Sequence, residues 1–501
     1  DLRRKIFSHL QHLPLSFFNR NPVGKIMTRV TTDVEALNQL FTSGMVAIFG
    51  DILMLFGIIG IMLYMNWKLT LVTMAVLPFL FAVTIAFKVK VRSAFRTIRA
   101  KIAKINAYLQ ENISGMTVVQ LFNREAKNYD EFDYLNRDHL DAFLKTIFYF
   151  AIFYPLVNIL GALSTALVIW YGGLKILAGE LTFGALVAFI QYAIMFYRPI
   201  SDLSEKFNIL QAAMAASERI FGILDEKPEV GYASEKPVMD LLEEPRSETL
   251  QGKIAFSNVW FAYKDEDWVL KDVSFTIAPG EKIAIVGATG AGKTTIINLL
   301  GRFYNIQRGN IQFDGNDIRD YDLQTLRRNI GIVLQDVFMF AGSVADNIRL
   351  GNNNISDEKI RQAAKDVNAL SFIEKLPNGF DENLIERGAT LSVGQRQLLA
   401  FARALAFDPA ILILDEATSN IDTETEMLIQ SALARLMENR TSIIIAHRLS
   451  TIQHVDRIIV MHHGEIREVG THQELLVSGG IYSRLHELQF ARRRRVEKAV
   501  A

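Results

Sequence analysis

Four apolar stretches, each close to the length of a membrane-crossing helix, constrain this chain more than any other feature of its sequence. A helix needs about 20 mainly apolar residues to cross the hydrocarbon core of a bilayer. The four stretches cover residues 45–65, 69–87, 148–172 and 183–199. They are apolar nearly all round, which disfavours the alternative of buried helices in a soluble protein. The sequence therefore predicts an α-helical polytopic membrane domain over residues 1–224.

The charges that flank these stretches predict which connections are cytosolic. Residues 88–145 contain eleven Lys and Arg, whereas residues 66–68 and 173–182 contain one Lys each. Cytosolic loops carry the excess of basic residues, so the long basic segment is predicted to be cytosolic and the two short connections external. With this assignment the first crossing starts on the cytosolic side and the fourth ends there.

The cytosolic segments are predicted to extend the spans as long helices. Apolar residues between Phe95 and Phe122 recur at helical spacing, with Lys and Arg between them. Polar breaks interrupt the pattern at residues 14–24 and 123–136, and simple surface turns are one interpretation of them. The chain begins inside a helical pattern at Asp1, with no initiator Met and no signal peptide, so we interpret it as truncated at its N-terminus.

Polar residues within the spans are candidates for a substrate pathway, because an ionisable side chain in a membrane is costly. Asp51 lies in the first span, where it could contact a cationic substrate or a proton, or be paired inside the helix bundle. Gln191 and Tyr192 lie in the last span between Phe189 and Phe196, where they could line an aromatic cavity. Since the chain has 33 Phe residues, core packing is the favoured interpretation of that cluster.

The second half of the chain has a different character. Residues 225–251 are acidic and contain three prolines, which is typical of an exposed linker. Residues 252–490 alternate short β-branched strands with helical patterns and predict an α/β domain, and residues 491–501 form a basic tail.

The 54 basic residues balance the 54 acidic ones, so no net charge favours a nucleic-acid partner. The absence of Cys excludes disulfides and thiolate chemistry.

A glycine-rich loop lies between an apolar strand at residues 283–286 and a helical pattern at residues 296–300. Its residues, predicted to bind ATP, are Gly287, Ala288, Thr289, Gly290, Ala291, Gly292, Lys293, Thr294 and Thr295. The glycines let backbone N–H groups turn toward phosphate oxygens, and the helix directs its positive end at the same anion. Lys293 would supply a cation for the β- and γ-phosphates, and Thr294 a hydroxyl ligand for Mg²⁺.

A second apolar strand, at residues 411–414, ends in two carboxylates. Ligands bind at the carboxyl ends of parallel strands, so this pair is predicted to reach the nucleotide. Asp415 would hold Mg²⁺, usually through water, and Glu416 would orient or deprotonate the water that attacks the γ-phosphate. The alternative, a solvated strand end, is disfavoured by the phosphate loop upstream.

Residues 390–397 read TLSVGQRQ, which resembles LSGGQ, the signature sequence of ATP-binding cassette proteins. Further family motifs lie in the family's order along the chain. The resemblance implies that Tyr263 stacks on adenine, that Gln335 of the Q-loop acts in catalysis and on Mg²⁺, that Asp422 belongs to the D-loop, and that His447 is the switch histidine. It implies that the signature binds the ATP held by a second subunit, through Ser392, Val393, Gly394 and Gln395.

The membrane half resembles the exporter branch of this family, in which each subunit has six spans. The resemblance implies that the first span and nearly all of the second are missing from this chain. It identifies the polar breaks as coupling helices that seat in grooves of the ATPase domains near the Q-loop, with Phe17, Phe18 and the segment from Tyr129 to Tyr134 as anchors. It also implies a multi-pass protein of a bacterial plasma membrane, with ATP-driven export powered by a cytosolic ATPase domain.

Val393 departs from the family pattern, where glycine is usual. Valine disfavours positive φ, so close approach of the backbone to phosphate is expected to be impaired there. In heterodimeric bacterial exporters the subunit with the catalytic Glu often carries the altered signature. Because Glu416 is present, the resemblance favours the hydrolysing half of a heterodimer over a homodimer.

The substrate is expected to be an amphipathic or hydrophobic small molecule of the multidrug type, by analogy of fold alone. A lipid or peptide exporter of the same architecture and an ATP-gated channel remain as alternatives. An importer is disfavoured because importers of this family usually keep spans and ATPase on separate chains. A soluble cassette ATPase acting on DNA or ribosomes is disfavoured by the four apolar stretches.

Overall fold

The structure is a computed structural model that describes residues 1–228, 250–415, 423–445, 452 and 455–488. The chain divides into two compact units, which are Thr28–Phe221 and the combination of Asp1–Met27 with Gly222–Ala501. The first 27 residues, which the sequence assigns to the membrane domain, thus group with the α/β unit. Of the predicted linker, residues 229–249 lie outside the described residues, as does the predicted basic tail.

Helices of 6 to 53 residues precede the first strand. Their bounds are α1 (Leu2–Gln11), α2 (Leu15–Arg20), α3 (Val23–Thr28), α4 (Val34–Gln39), α5 (Met45–Met74), α6 (Leu77–Ser114), α7 (Met116–Leu121), α8 (Glu125–Leu177) and α9 (Phe183–Leu224). Two π-helical turns, Arg29–Asp33 and Leu40–Gly44, connect α3, α4 and α5 into one helical rod that runs from Val23 to Met74 and is interrupted at Asn66.

Two of the described helices are long and apolar enough to cross a membrane, Val23–Met74 and Glu125–Leu177. Only 11% of the apolar window of each is buried, so most of these apolar side chains face outward. A shorter apolar helix covers Phe183–Phe196. The predicted stretch at residues 69–87 is helical on both sides of a turn at Ala75 and Val76, which divides it into two pieces.

The backbone leaves helical geometry at Asn66, where the sequence places a connection between two spans. Asn66 has φ −162° and ψ 104° within α5. Its side-chain oxygen accepts a hydrogen bond from the backbone N–H of Leu69 at 3.0 Å. An Asn side chain that satisfies a free N–H three residues later begins a new helical run. Asn66 thus separates two consecutive helical segments without a loop.

The second polar break begins before residues 123–136, where the sequence predicts it: one turn lies at Gly115 and another at residues 122–124, at the start of the predicted segment. Gly115 ends α6, the short helix α7 follows, and α8 has already begun at Glu125. Tyr129 and Tyr134 are therefore exposed positions in the first turns of α8 rather than parts of a loop. The helical spacing of apolar residues continues through α7, and for this reason the pattern hid the turn at Gly115.

Asp51 is paired within the helical unit, as one of the two interpretations of this residue allowed. Its carboxylate accepts a hydrogen bond from the ammonium of Lys206 on α9 at 2.5 Å, and both side chains are about four-fifths buried. Asp33 pairs with Arg219, also on α9, through two hydrogen bonds of 2.6 and 2.8 Å. Two ion pairs therefore connect α9 to the rod Val23–Met74.

The other two candidates for a substrate pathway differ in their surroundings. Tyr192 is half-buried and packs on a cluster that includes Phe189 and Phe196, in agreement with the core-packing interpretation. Gln191 is exposed on the helical unit.

The strands belong to the α/β unit. Their bounds are β1 (Ile254–Ala262), β2 (Trp268–Ile277), β3 (Lys282–Val286), β4 (Arg308–Phe313), β5 (Asn316–Asp317), β6 (Ile330–Val333), β7 (Gly342–Ser343), β8 (Asn383–Leu384), β9 (Ile411–Asp415), β10 (Thr441–Ile445), β11 (Arg457–His462) and β12 (Glu465–Gly470). The helices of this unit are α10 (Lys293–Leu300), α11 (Leu323–Arg328), α12 (Val344–Arg349), α13 (Asp357–Asp366), α14 (Leu370–Ile373), α15 (Val393–Phe407), α16 (Thr423–Leu436) and α17 (His472–Val477).

The main sheet of the described residues has the order β12-β11-β3-β10-β9-β6, in which the first pair is antiparallel and the rest are parallel. A second, antiparallel sheet has the order β2-β1-β4-β5. Alternate residues of the parallel strands enter two cores: Ile283 and Ile285 pack toward α10 and the antiparallel sheet, whereas Ala284 and Val286 pack toward the helices around α15. Strands buried on both faces are typical of α/β domains.

Candidate functional site

The predicted phosphate loop connects β3 to α10, in the strand–loop–helix arrangement that the sequence indicates. Gly290 and Gly292 have φ of +83° and +98°, and Gly292 is the left-handed residue at the start of α10. Such values are favourable for glycine and costly for other residues. Residues 288–290 are exposed, while Ala291 and Gly292 are buried. The loop thus presents its backbone to solvent above the N-terminus of a helix, where an anion is stabilised.

The side chain of Lys293 lies inside the phosphate loop. Its side chain is only 6% exposed, and its ammonium donates hydrogen bonds to the carbonyl oxygens of Gly287 at 2.8 Å and Ala288 at 3.0 Å. Burial lowers the pKa of this ammonium, and the nearby carboxylate of Asp415 opposes that shift. The site therefore holds a desolvated cation that an anionic ligand would stabilise.

Two glycines of the loop provide a matched pair of substitutions. A Cβ at position 287 would lie 2.3 Å from the carbonyl oxygen of Met461, whereas a Cβ at position 290 would have no atom within 4 Å. We expect Gly287→Ala to destabilise the α/β unit by about 2–3 kcal/mol and to abolish ATP binding. Gly290→Ala should cost only the backbone strain of about 1–2 kcal/mol. Thermal unfolding and ATP titration check both, and equal effects would contradict the close approach to Met461.

Carboxylate and amide groups lie on the same carboxyl edge of the main sheet as the loop. The strand register places Asp415 beside Ile445, and Ile445 beside Ile285, two residues before the loop. Gln335 is exposed and follows the end of neighbouring β6. Thr294, the second residue of α10, is also exposed. Hydroxyl, amide and carboxylate oxygens are the ligand types that Mg²⁺ prefers alongside phosphate, so these residues fit the ion.

Three predicted residues cannot be placed in this geometry. Glu416, Asp422 and His447 lie outside the described residues. Among the described residues there is no group of three His, Cys, Asp or Glu side chains that could hold a metal ion. A Mg²⁺ ion held mainly by nucleotide phosphates, with one or two protein carboxylates, does not need such a group.

Tyr263 lies just beyond the end of β1 with its side chain held against α10. Its hydroxyl donates to Oγ1 of Thr295 at 3.3 Å and accepts from Nδ2 of Asn298 at 3.0 Å. The residue is 44% exposed. An aromatic ring fixed at its hydroxyl end, with surface left free beside a phosphate loop, is suited to stacking on a nucleotide base.

The signature sequence forms the start of α15. Ser392 is the N-cap residue: its hydroxyl accepts from the backbone N–H of Gln395 at 3.2 Å, and Oε1 of Gln395 accepts from the backbone N–H of Ser392 at 2.9 Å. This capping box leaves Ser392 exposed at a helix N-terminus. Gly394 is buried and Gln395 half-buried in the first turn.

Val393 has a helical backbone, so the expected conflict between valine and positive φ does not arise. It is the first residue of α15, and it is not among the described non-glycine residues with positive φ. Valine accepts this geometry at little cost. Its side chain is 48% exposed, so any effect on an approaching phosphate comes from the bulk of the isopropyl group.

Two arginines of α15 were not recognised in the sequence. Arg396 donates to the carbonyl oxygens of Gly388 and Leu391, which precede the signature. Arg403 donates to the carbonyl oxygen of Asn347 at 2.8 Å and to that of Phe338, three residues after Gln335. Burial lowers the pKa of Arg403. The helix that begins with the signature thus contacts the segment after the Q-loop. Only the spacing of Arg along an otherwise apolar helix could have indicated this contact.

The first predicted coupling segment contains α2 and contacts the α/β unit. Phe17 is buried, and Nδ2 of Asn19 donates to the hydroxyl of Tyr304 at 2.8 Å. Tyr304 follows α10, so this contact lies close to the phosphate-loop helix. The contact near the Q-loop that the resemblance implies stays a prediction.

Family comparisons agree with this geometry. The ABC transporter transmembrane region matches residues 1–200, and the ABC transporter family matches residues 270–419. The chain is 44% identical over 491 residues to the uncharacterized ABC transporter ATP-binding protein YknV of Bacillus subtilis, with 98% of this chain and 80% of that protein covered. The chain belongs to the ABC transporter family.

Other relatives carry more specific names. The chain is 39% identical to a probable multidrug resistance ABC transporter ATP-binding/permease protein, YheH of Bacillus subtilis, with 97% of this chain and 72% of YheH covered. An ATP-dependent lipid A-core flippase of Syntrophus aciditrophicus is 39% identical, with 98% of this chain and 80% of the flippase covered. The solved structure of a bacterial Atm1-family ABC exporter with ATP bound matches with a TM-score of 0.77 at 29% identity, over 97% of this chain and 84% of that chain.

These findings define the protein class. The chain is a membrane-spanning ABC exporter whose helical transmembrane domain is fused to an α/β ATP-binding domain in the cytosol. It is an ATPase coupled to transport, and exporters of this family work as dimers within a membrane. The matched relatives named above are bacterial.

Proposed function

We propose that this chain exports amphipathic or hydrophobic small molecules of the multidrug type, using ATP hydrolysed at Glu416. The observation that carries the proposal is the phosphate loop with its buried Lys293, which shares one chain with helices whose apolar faces point outward. The name of YheH favours a multidrug substrate, and the name of the lipid A-core flippase favours a lipid. A lipid substrate is therefore the second candidate.

The ATP-binding residues have separate roles in this proposal. Backbone N–H groups of residues 287–295 surround the phosphates, and the ammonium of Lys293 leaves its two carbonyl partners to meet the β- and γ-phosphates. Tyr263 stacks on adenine. Thr294, Gln335 and Asp415 hold Mg²⁺. That ion, when bound, neutralises charge on the phosphates.

Hydrolysis and dimer closure use the remaining residues. Glu416 orients and deprotonates the attacking water, His447 contacts the γ-phosphate, and Asp422 lies at the dimer interface. Ser392, Val393, Gly394 and Gln395 bind the ATP of the partner subunit, because the exposed N-terminus of α15 attracts the γ-phosphate. Binding of two ATP molecules closes the pair of domains, and loss of phosphate releases it.

The chain is proposed to cross the membrane four times, over residues 45–65, 69–87, 148–172 and 183–199. Each of these segments is helical apart from the turn at residues 75–76 within the second, and the break at Asn66 lies between the first and the second. The basic residues of α6 and of the first half of α8 then lie in the cytosol. The turn that includes α7 replaces residues 123–136 as the proposed second coupling element.

We further propose that the partner is a different half-subunit. The side chain of Val393 occupies the exposed first turn of α15, where the family usually has no side chain. A signature with added bulk at this place is tolerated where it faces a site that does not hydrolyse ATP. This chain then has an altered signature and an intact Glu416, whereas its partner has an intact signature and lacks the catalytic carboxylate. One of the two ATP sites of the dimer combines Glu416 with the intact signature, and that site alone hydrolyses ATP.

The partner proposal is tested by native mass spectrometry, with subunit identification, of the protein purified in detergent from its own host. We expect two different chains, with the partner lacking a carboxylate at the position equivalent to Glu416. Two copies of this chain would contradict the heterodimer and would make both ATP sites equivalent.

Transport itself is tested with inverted membrane vesicles and a fluorescent amphipathic cation. We expect uptake that requires ATP and stops with a non-hydrolysable ATP analogue. Labelled phospholipid moved in place of the dye would favour the lipid candidate. An ion conductance that opens with the non-hydrolysable analogue would instead indicate an ATP-gated channel.

A further inference from the structure

The segment that contains α2 contacts the α/β unit at a tyrosine beside the proposed adenine site. Asn19 is the residue of α2 that makes this hydrogen bond, from its Nδ2 to the hydroxyl of Tyr304 at 2.8 Å. Phe17 of the same helix is buried, and Nδ2 of Asn21 donates to the carbonyl oxygen of Phe17 at 3.0 Å. The end of α2 is thus held in a defined conformation where Asn19 reaches Tyr304.

Tyr304 transmits this contact to Tyr263 through its ring. The two ring centroids are 5.0 Å apart, and the ring planes are perpendicular. Phe261 supports both rings, with centroids 5.8 Å from Tyr304 and 4.8 Å from Tyr263. Edge-to-face aromatic pairs have a preferred geometry, so a change in the position of one ring is passed to the other.

Tyr263 is in turn connected to the phosphate-loop helix. Its hydroxyl bonds to Thr295 at 3.3 Å and to Asn298 at 3.0 Å, both on α10. An unbroken series of contacts therefore runs from Asn19 through Tyr304 to Tyr263 and the first turns of α10. Gln335 follows the carboxyl end of β6, on the main sheet, and takes no part in this series.

We propose that Asn19 and Tyr304 are positioning residues that set the affinity of the site for the adenine end of the nucleotide. This inference rests on the proposed function, in which Tyr263 stacks on adenine. The segment Leu15–Arg20 orients the Tyr304 ring, which orients the Tyr263 ring on the base. Movement of this segment during transport would then alter nucleotide affinity through the base, separately from any signal through Gln335 to the γ-phosphate.

The experiment measures dissociation constants for ATP and for ADP, together with kcat, on the complete dimer, purified with its partner subunit, in lipid nanodiscs. Because ATP and ADP share the adenine, Asn19→Ala should weaken both by the same factor, about three- to five-fold for the loss of one hydrogen bond. The kcat at saturating ATP should not change. Gln335→Ala serves as the contrast, with a larger effect on ATP than on ADP.

Two substitutions at Tyr304 separate the hydrogen bond from the ring contact. Tyr304→Phe removes only the hydroxyl and should match Asn19→Ala, and the double variant should be no weaker than either single one. Tyr304→Ala also removes the ring and should weaken both nucleotides about ten-fold. Tyr321→Phe is the matched control, because it deletes a tyrosine hydroxyl that donates to Phe313 in the same unit.

Three outcomes would overturn the inference. Unchanged affinities in Asn19→Ala and Tyr304→Phe, with normal hydrolysis by the unaltered protein, would overturn it and leave the proposed function intact. A loss confined to ATP would assign the contact to the γ-phosphate end. Absence of ATP binding by the unaltered dimer would overturn the proposed function along with it.

Discussion

Glu416→Gln is expected to retain ATP binding and to reduce the rate of hydrolysis by on the order of 10²–10⁴-fold. Glutamine has the shape of glutamate but cannot take a proton from the attacking water, and general-base catalysis contributes about this factor. Binding of ATP without hydrolysis should hold the two ATP-binding domains together. Phosphate release under saturating ATP, together with a direct measurement of ATP bound at equilibrium, checks both parts of the expectation.

Glu438→Gln is the matched control for this substitution. Glu438 is exposed and pairs with Arg435 at 2.8 Å on the same α/β unit, so the change removes a carboxylate of the same kind away from the proposed site. Its hydrolysis rate should equal that of the unaltered protein. Near-normal hydrolysis by Glu416→Gln would remove Glu416 from the proposed role and assign the working site to the partner chain.

Lys293→Ala is expected to weaken ATP binding by about 10- to 100-fold, which corresponds to the loss of about 1.5–3 kcal/mol for hydrogen bonds to a charged group. The ammonium is buried and lies within hydrogen-bonding distance of two loop carbonyls, so it is positioned before the nucleotide arrives. Equilibrium binding of a fluorescent ATP analogue measures the effect without dependence on catalysis.

Lys282→Ala provides the comparison, because Lys282 lies at the opposite end of β3 from the phosphate loop. It should bind ATP as the unaltered protein does. If Lys293→Ala also binds ATP normally, the assignment of the phosphate loop is wrong. If both variants lose binding, the effect is one of folding, and thermal unfolding of the two variants will show it.

The phosphate loop could be predicted in detail because its chemistry is local. The strand, the glycines, Lys293 and α10 are consecutive in the chain, and glycine at positions 290 and 292 matches a positive φ that few other residues accept. The capping box of Ser392 and Gln395 is local in the same sense. At the phosphate loop and the capping box, the local sequence alone therefore predicts the local geometry.

Contacts between distant parts of the chain could not be predicted. Asn19 and Tyr304 are 285 residues apart, and Asp51 and Lys206 are 155 residues apart. Nothing in the sequence pairs these residues, because their proximity depends on how whole helices pack. The turn at Gly115 was missed for a different reason: the apolar residues of α7 keep helical spacing, and a single glycine does not end a helix reliably.

The pairs Asp33–Arg219 and Asp51–Lys206 constrain how the helical unit can move. Both connect the rod Val23–Met74 to α9, at two levels along its length. Sliding one helix past the other by a turn would break both ion pairs at once. Asp33, Asp51 and Lys206 are mostly buried, so the loss of the two pairs would cost several kcal/mol in total. The two helices should therefore move as one rigid body during the transport cycle. The relative movements of helices in that cycle must then occur between other helix pairs.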